Sequence, residues 1–361
     1  MPSAATTGPS VLLLTRYGRQ GASSRLRFLA YLPALRNAGF RVTEAPLLDD
    51  AYLRALYGGQ RLDLRGVAAA YARRFAALRS TRRYDVIWLE KEALPWLPAG
   101  IENLAGLSAT PYVMDIDDAW FERYARHRQM PVRALLGGKF ATLARNARIV
   151  LAGNPYLADW ARGAGCRDVR LLPTVVDPAR YPVRPPTGAT DGPVVVGWIG
   201  SPSTAGYLAI TGGALARLGG RLRLRAVGIS DRDSPVPAEF VPWHEDSEGE
   251  ELSRCDIGIM PLPDDPWERG KCGYKLIQYM AAGRPVVASP VGVNTTLVQH
   301  GVNGFLAGDE TAWTDALARL AADPDLRGRM GAAGRRMVEE RYALSVTTPQ
   351  LADALHDARG G

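Results

Sequence analysis

Two runs of alternating strand and helix signals, parted by a stretch that suits neither, constrain this chain more than any other feature. In the first half "SVLLLTRY" (Ser10 to Tyr17), "YDVIWLE" (Tyr84 to Glu90), "PYVMDID" (Pro111 to Asp117) and "ARIVLAG" (Ala147 to Gly153) are short apolar runs. Stretches of helical period separate them, such as "SSRLRFLAYLPALRNAG" (Ser23 to Gly39), which opens on a capping serine and ends on glycine. Strand and helix in repeated alternation predict a parallel sheet covered by helices. "DPARYPVRPPTGATDGP", ending at Pro193, is rich in proline and glycine and has no apolar period, which reads as a linker. The alternation then restarts with "VVVGWIG" (Val194 to Gly200), a helix from about Ser203, "LRLRAVG" (Leu222 to Gly228), "CDIGIMPL" (Cys255 to Leu262), a lysine-bearing helix, "PVVAS" (Pro285 to Ser289) and "NGFLAG" (Asn303 to Gly308).

The expected fold class is therefore α/β, with two doubly wound, Rossmann-like domains. Their expected bounds are 1–177, a linker at 178–193, 194–340, and a helical segment at 341–361 packing back on the first domain. The length of 361 residues fits two domains by the prior of roughly 100 to 200 residues each. Parallel sheets bind ligands beyond the carboxyl ends of their strands. Two domains facing each other across a cleft would suit a ligand in two parts.

Charge narrows the partners. The chain carries a formal charge of +7, but as single arginines spread along amphipathic segments, a pattern that argues against nucleic acid and leaves a peripheral contact with an anionic membrane face. Three cysteines without paired spacing, and no C-x-x-C or histidine cluster, predict neither disulfides nor a zinc site. The N-terminal run lacks a charged leader and no segment approaches about 18 apolar residues, so the expected location is cytoplasmic.

Lysine usage singles out one stretch. Only four lysines stand against 40 arginines, and two of them, Lys271 and Lys275, lie four apart in "GKCGYKLIQYMAAGRPVVAS". If the helix has begun by Lys271, both share a face with Gln278. Cations early in a helix oppose its dipole, a conflict that a bound anion would resolve. In "VVVGWIGSPSTAGYL", Gly200 permits close backbone approach, while Ser201, Ser203 and Thr204 offer hydroxyls at a helix start. Ser203 as a simple N-cap is the alternative. "DIDDAW" places Asp115 and Asp117 on one strand face with Asp118 following, the spacing of a divalent-cation site, or of carboxylates capping the next helix. Trp243, followed by His244, could stack on a base or belong to the core.

Taken together, "GWIGSPSTAGYL", "CDIGIMPLPDDPWERGKCGYKLIQYMAAGRPVVASPVGVN", "VNGFLA", "GASSRLRFLAYLPAL", "YVMDIDDAWF" and "LLPTVVDPARY" resemble the retaining GT-B glycosyltransferases of family 4, in particular a bacterial subgroup. The resemblance covers nearly the whole chain and specifies no substrate. It implies a nucleoside-diphosphate sugar as co-substrate held by the C-terminal domain, an acceptor (a sugar, a lipid-linked group or a small molecule) entering from the N-terminal domain, no cofactor and no metal. Relatives carry two glutamates with seven residues between them where this chain has Gly270 and Gln278. Gln278 would then meet the ribose, and Glu268 or backbone would replace the first glutamate near the sugar.

The arginine and lysine that relatives place after the first C-domain strand are Ser201 and Gly206 here. Neutralising the diphosphate accordingly falls to Lys271 and Lys275, with Gly273 and Tyr274 between them in the donor site. The resemblance also brings Gly21, Ser23, Ser24 and Arg25 to the phosphates, where the sequence alone equally allows an ordinary turn and N-cap, and puts Asp117 and Asp118 beside the sugar or acceptor. Other readings are an epimerase or hydrolase of the same fold and a non-catalytic sugar-nucleotide binder, which the departures at Gly270 and Gln278 motivate.

Overall fold

A computed structural model describes residues 8–61, 63–185 and 192–360. The chain divides into two compact units: Met1–Thr174 with Gly270–Cys272 and Thr347–Gly361, and Val175–Arg269 with Gly273–Val346. Residues 186–191 of the expected linker lie outside the described residues.

The first unit holds a six-stranded parallel sheet: β1 (Ser10–Leu14), β2 (Arg41–Glu44), β3 (Val86–Glu90), β4 (Tyr112–Ile116), β5 (Ile149–Ala152) and β6 (Val169–Leu171), ordered β2-β1-β3-β4-β5-β6. The chain reverses its direction of winding between β1 and β3, the place where open α/β sheets leave a crevice. Strands β3, β4 and β5 are buried at every position, as expected for parallel strands covered on both faces. The edge strands β2 and β6 are short and polar, "RVTE" and "VRL", which is why an apolar pattern misses them. The expected helix from Ser23 to Gly39 is broken into Ala22–Arg27, a 3-10 turn Leu29–Tyr31 and Leu32–Asn37. Pro33 supplies the reason, since it has no N–H to continue the ladder. The last helix, Leu344–Arg359, joins this unit from Thr347 on. Tyr31 Oη meets Thr347 Oγ1 at 2.8 Å, and Arg170 pairs with Asp357 at 2.7 Å.

The second unit holds β7 (Val194–Ile199), β8 (Leu222–Val227), β9 (Glu239–Val241), β10 (Ile257–Met260), β11 (Val286–Ala288) and β12 (Gly304–Leu306), ordered β12-β11-β10-β7-β8-β9 and all parallel. This is the dinucleotide-fold order, with its crevice at the carboxyl ends of β7 and β10. Tyr181 of the expected linker is buried in this core, and the second unit begins at Val175, before the expected bound at 177: Val176 exchanges backbone hydrogen bonds with Tyr342 and Leu344. An aromatic ring that finds an apolar pocket and a partner for its hydroxyl overrides the loop-like composition around it.

Candidate active site

In the second unit the candidate groups gather at the carboxyl edge of the sheet. β7 runs into Gly200, whose N–H donates to Val227 O at 3.0 Å. A Cβ on Gly200 would lie 2.4 Å from the Trp198 ring and 2.7 Å from Lys275 Nζ, so only glycine leaves room there. The Lys275 ammonium stands 4.3 Å from the centroid of the buried Trp198 ring, a cation–π contact that fixes it against the turn.

The helix after this turn differs from expectation. Ser201, not Ser203, takes the N-cap position, and the helix Pro202–Ala205 passes after one turn into the 3-10 stretch Gly206–Thr211. Ser201 and Ser203 share a hydroxyl hydrogen bond at 2.9 Å, while Thr204 Oγ1 donates to Ser201 O at 3.2 Å. One turn builds little macrodipole, so the charge for an anion falls more heavily on Lys275.

Lys271 and Lys275 do not share a helical face. The helix Tyr274–Ala281 begins after Gly273, which sits at φ +67° in the left-handed region, so Lys275 is helical and Lys271 precedes the helix. Lys271 belongs instead to the tripeptide counted with the first unit.

Gln278 is also placed differently. It is 1% exposed, and its Nε2 donates to Tyr181 Oη at 3.1 Å. Tyr181 Oη in turn donates to Glu248 Oε1 at 2.9 Å, and Trp243 Nε1 donates to Glu248 Oε2 at 2.7 Å. Burial, then the Glu248 carboxylate, raises the Tyr181 phenol far above its ordinary value. Gln278 thus feeds an internal chain ending on a carboxylate. Half-buried Trp243 and Tyr274 are the members of that chain nearer the surface, with Tyr274 Oη 3.5 Å from Tyr181 Oη, while His244 is exposed.

In the first unit the corresponding edge is strongly charged. β3 ends on Glu90, whose Oε2 accepts from Ser24 Oγ at 2.6 Å and from Arg16 N at 2.8 Å. Ser24 is fully buried and its oxygen accepts from Tyr17 N, so its hydroxyl serves the fold at this edge. Gly21 lies against Tyr17, and Arg25 Nη1 donates to Arg19 O at 3.1 Å. Ser23 Oγ accepts from Lys91 Nζ at 3.3 Å.

Lys91 is the residue the sequence reading passed over. It has φ +62°, a strained value for a lysine, and its ammonium lies 2.8 Å from Asp117 Oδ1 and 3.7 Å from Glu90 Oε1. Burial opposes its charge, yet Asp117 and Glu90 raise its pKa. Reciprocally, although burial disfavours the Asp117 carboxylate, Lys91 and Arg27 hold it below its ordinary range. Arg16, Lys91 and Arg123 stand 4.4, 5.2 and 4.8 Å from the Trp120 ring. Lys91 and Lys139, two of the four lysines of the chain, are both 2% exposed. Lys139 pairs with Glu92 and Glu102 at 2.7 Å each, a buried ionic core.

The D-x-D reading is answered by what each carboxylate faces. Asp115 accepts from Arg27 Nε and from Trp88 Nε1, and burial pushes it up to about 6 against the pull of Arg27. Asp117 faces Lys91, and Asp118 lies 3.9 Å from Lys271 Nζ. Burial raises the Asp118 pKa, with Lys271 opposing and Asp117 adding to the rise. Each of these three carboxylates faces a cation.

Gly270 has a steric reason to be glycine. A Cβ there would lie 2.6 Å from Ala119 N and 2.5 Å from Ala119 Cβ, so the glutamate of the resembling family has no room. Glu268 is buried and accepts from the Tyr207 hydroxyl. Gly270→Ala is expected to cost about 1–3 kcal/mol through overpacking, read as a lowered Tm. A wild-type Tm would contradict the tight approach.

Residues 208–323 match the family Glycosyl transferases group 1. D-inositol 3-phosphate glycosyltransferase of Stackebrandtia nassauensis is 34% identical over 127 residues, 34% of this chain and 27% of the relative. N-acetyl-alpha-D-glucosaminyl L-malate synthase of Bacillus anthracis is 31% identical over 123 residues, 32% of this chain and 31% of the relative. The matched stretches thus span less than a third of these two curated relatives. Among solved structures, Anabaena Alr3699/HepE with UDP and glucose superposes with TM-score 0.73 at 18% identity, covering 97% of this chain and 100% of that one. Sucrose-phosphate synthase of Thermosynechococcus elongatus gives 0.72 at 16%, covering 97% and 98%. The chain is thus similar to glycosyl transferases group 1 over a stretch of its second half, and its two Rossmann-like domains have the GT-B fold.

Proposed function

We propose that this protein transfers a sugar from a nucleoside-diphosphate sugar to an acceptor with retention and without a metal, and that Lys275 receives the leaving diphosphate. The observation that carries the reading is the Lys275 ammonium, held over Trp198 against Gly200 at the crevice of the β7–β10 switch. In the transfer, the bond from the anomeric carbon to the diphosphate oxygen breaks and its electrons stay on that oxygen. The acceptor oxygen bonds the anomeric carbon from the same face, and its proton passes to a donor phosphate oxygen. Charge accumulates on the diphosphate, where a preorganised ammonium acts on the transition state more than on the ground state.

Lys271, four residues earlier in the chain, is the second cation proposed for that leaving group. Ser201, Ser203 and Thr204 are proposed to hydrogen-bond the phosphates, and Trp243 and Tyr274 to flank the nucleoside. Asp117 and Asp118 are proposed to contact sugar or acceptor hydroxyls. UDP-sugars are the first donors to test, because HepE is described in complex with UDP-glucose. Two relatives are named for anionic acceptors, inositol 3-phosphate and malate, and the cations around Trp120 would suit an acceptor of that charge. Incubating pure protein with labelled UDP-sugars and a candidate acceptor, inositol 3-phosphate or malate, is expected to release UDP and form a labelled glycoside. Stabilisation by UDP without turnover of any nucleotide sugar would instead mark a binding protein.

No helix among the described residues is long and apolar enough to cross a membrane. A peripheral contact through the first unit is proposed from an exposed apolar and basic patch. Trp96, Met130 and Leu135 are 52%, 67% and 68% exposed, and Trp96 packs on His127, whose carbonyl accepts from Arg133. Binding to phosphatidylglycerol vesicles is expected to weaken as salt rises, because the Debye length falls from about 10 Å at 0.1 M to about 3 Å at 1 M. Salt-independent partition would remove the electrostatic part of this proposal.

A further inference from the structure

The tripeptide Gly270–Cys272 comes from the middle of the second half of the sequence yet packs within the first unit. One side chain dominates its attachment. Asn154 Nδ2 donates to Gly270 O at 2.9 Å and to Lys271 O at 3.0 Å, while Asn154 Oδ1 accepts from Leu157 N at 2.9 Å as the N-cap of the helix Pro155–Gly163. The amide thus has two separable duties: its oxygen starts a helix, and its nitrogen holds a foreign strand of backbone. Neighbours complete the seat. Cys272 Sγ donates to Asp117 O at 3.0 Å, a Cβ on Gly153 would lie 2.3 Å from that sulfur, and Gly270 lies flat against Ala119. The held carbonyl at 271 belongs to the lysine whose ammonium stands by Asp118, and two residues on, Gly273 starts the helix that carries Lys275.

We infer that Asn154 is a positioning residue for sugar transfer: its amide nitrogen clasps Gly270–Cys272 and thereby fixes where Lys271 stands beside Asp118. The inference rests on the proposed transfer for its catalytic half, while the clasp itself is independent of any activity. Asn154 touches neither ammonium; it acts through the backbone of residues 270 and 271. Two carbonyls converging on one NH2 group make the site intolerant of an oxygen, since an acceptor would face two acceptors.

The two duties can be separated by substitution. Asn154→Asp and Asn154→Ser both keep an oxygen able to cap the helix and both remove the NH2 donor. Asn154→Ala removes both. The full-length variants would be compared with wild type in two ways: site-resolved labelling of Cys272 by a thiol reagent, quantified by peptide mass spectrometry, and hydrogen exchange at residues 270–272 and at Leu157. Expected for Asn154→Asp and Asn154→Ser is at least tenfold faster labelling of Cys272 and exchange of 270–272, with Leu157 protected as in wild type. With a UDP-sugar that wild type turns over, kcat should fall at least tenfold while the donor KM changes less than threefold. Wild-type rates of Cys272 labelling and of exchange at 270–272 in both variants would overturn the clasp. Faster labelling and exchange with an unchanged kcat would overturn the positioning role. If wild type turns over no UDP-sugar, the proposed function fails while the labelling and exchange results still decide the clasp. The neutral Asn154→Ser variant guards against the case in which the new carboxylate of Asn154→Asp simply unfolds the unit.

Discussion

Replacing Lys275 with alanine is expected to lower kcat about 10²-fold, the scale seen when one preorganised donor to developing charge is removed, with a much smaller change in the donor KM. The reason is local. Its ammonium sits against the Gly200 turn over the Trp198 ring at the switch point of the second sheet, and the charge it would meet grows as the sugar–phosphate bond breaks. Lys275→Arg should restore little, because Gly200 clears space for a compact ammonium and a planar fork is larger. Steady-state kinetics with a turned-over donor checks this. Equal kcat in wild type and Lys275→Ala would remove Lys275 from catalysis.

The second large effect is expected on stability. Lys91→Met leaves the buried Glu90 and the mostly buried Asp117 carboxylates without their common cation, and breaking a buried pair by removing one partner costs about 3–5 kcal/mol. Chemical denaturation should show it, and Asp117→Asn in the Lys91→Met background should recover part of the loss. A double variant no more stable than Lys91→Met would contradict the pairing. The pH dependence has two signs at this edge. Asp117, held below its ordinary value, contributes stability that is present above about pH 4 and is lost as the pH falls through its depressed pKa. Asp118, raised to about 6, contributes in the opposite sense: its term is full below about pH 4 and is lost as the pH rises through 6. Asp118→Asn should therefore reduce the loss of stability between about pH 4 and pH 6, with Asp115, raised likewise, supplying the remainder.

The doubly wound architecture was legible in the sequence because largely buried parallel strands read as apolar-rich runs, and all eight interior strands of the two sheets fall within such runs. The edges β2, β6 and β9 were not, since three or four half-exposed residues carry no periodic signal. Lys275 could be found by rarity and spacing. Lys271 could not be placed, because the left-handed Gly273 that delays the helix is one glycine among 38. Lys91, Tyr181 and Glu248 owe their surroundings to tertiary contacts across tens of residues, and no local pattern encodes a pairing such as Tyr181 with Glu248. Gly270 illustrates the converse: a departure from a family pattern that looks like lost function in the sequence is a steric requirement set by Ala119.

A crystal structure of this protein with UDP tests the account most directly. The prediction is a diphosphate at the carboxyl ends of β7 and β10, with Lys275 Nζ about 2.7–3.2 Å from one of its oxygens. A nucleotide bound anywhere else, or a diphosphate at this edge with the lysine turned away from it, would contradict the central claim.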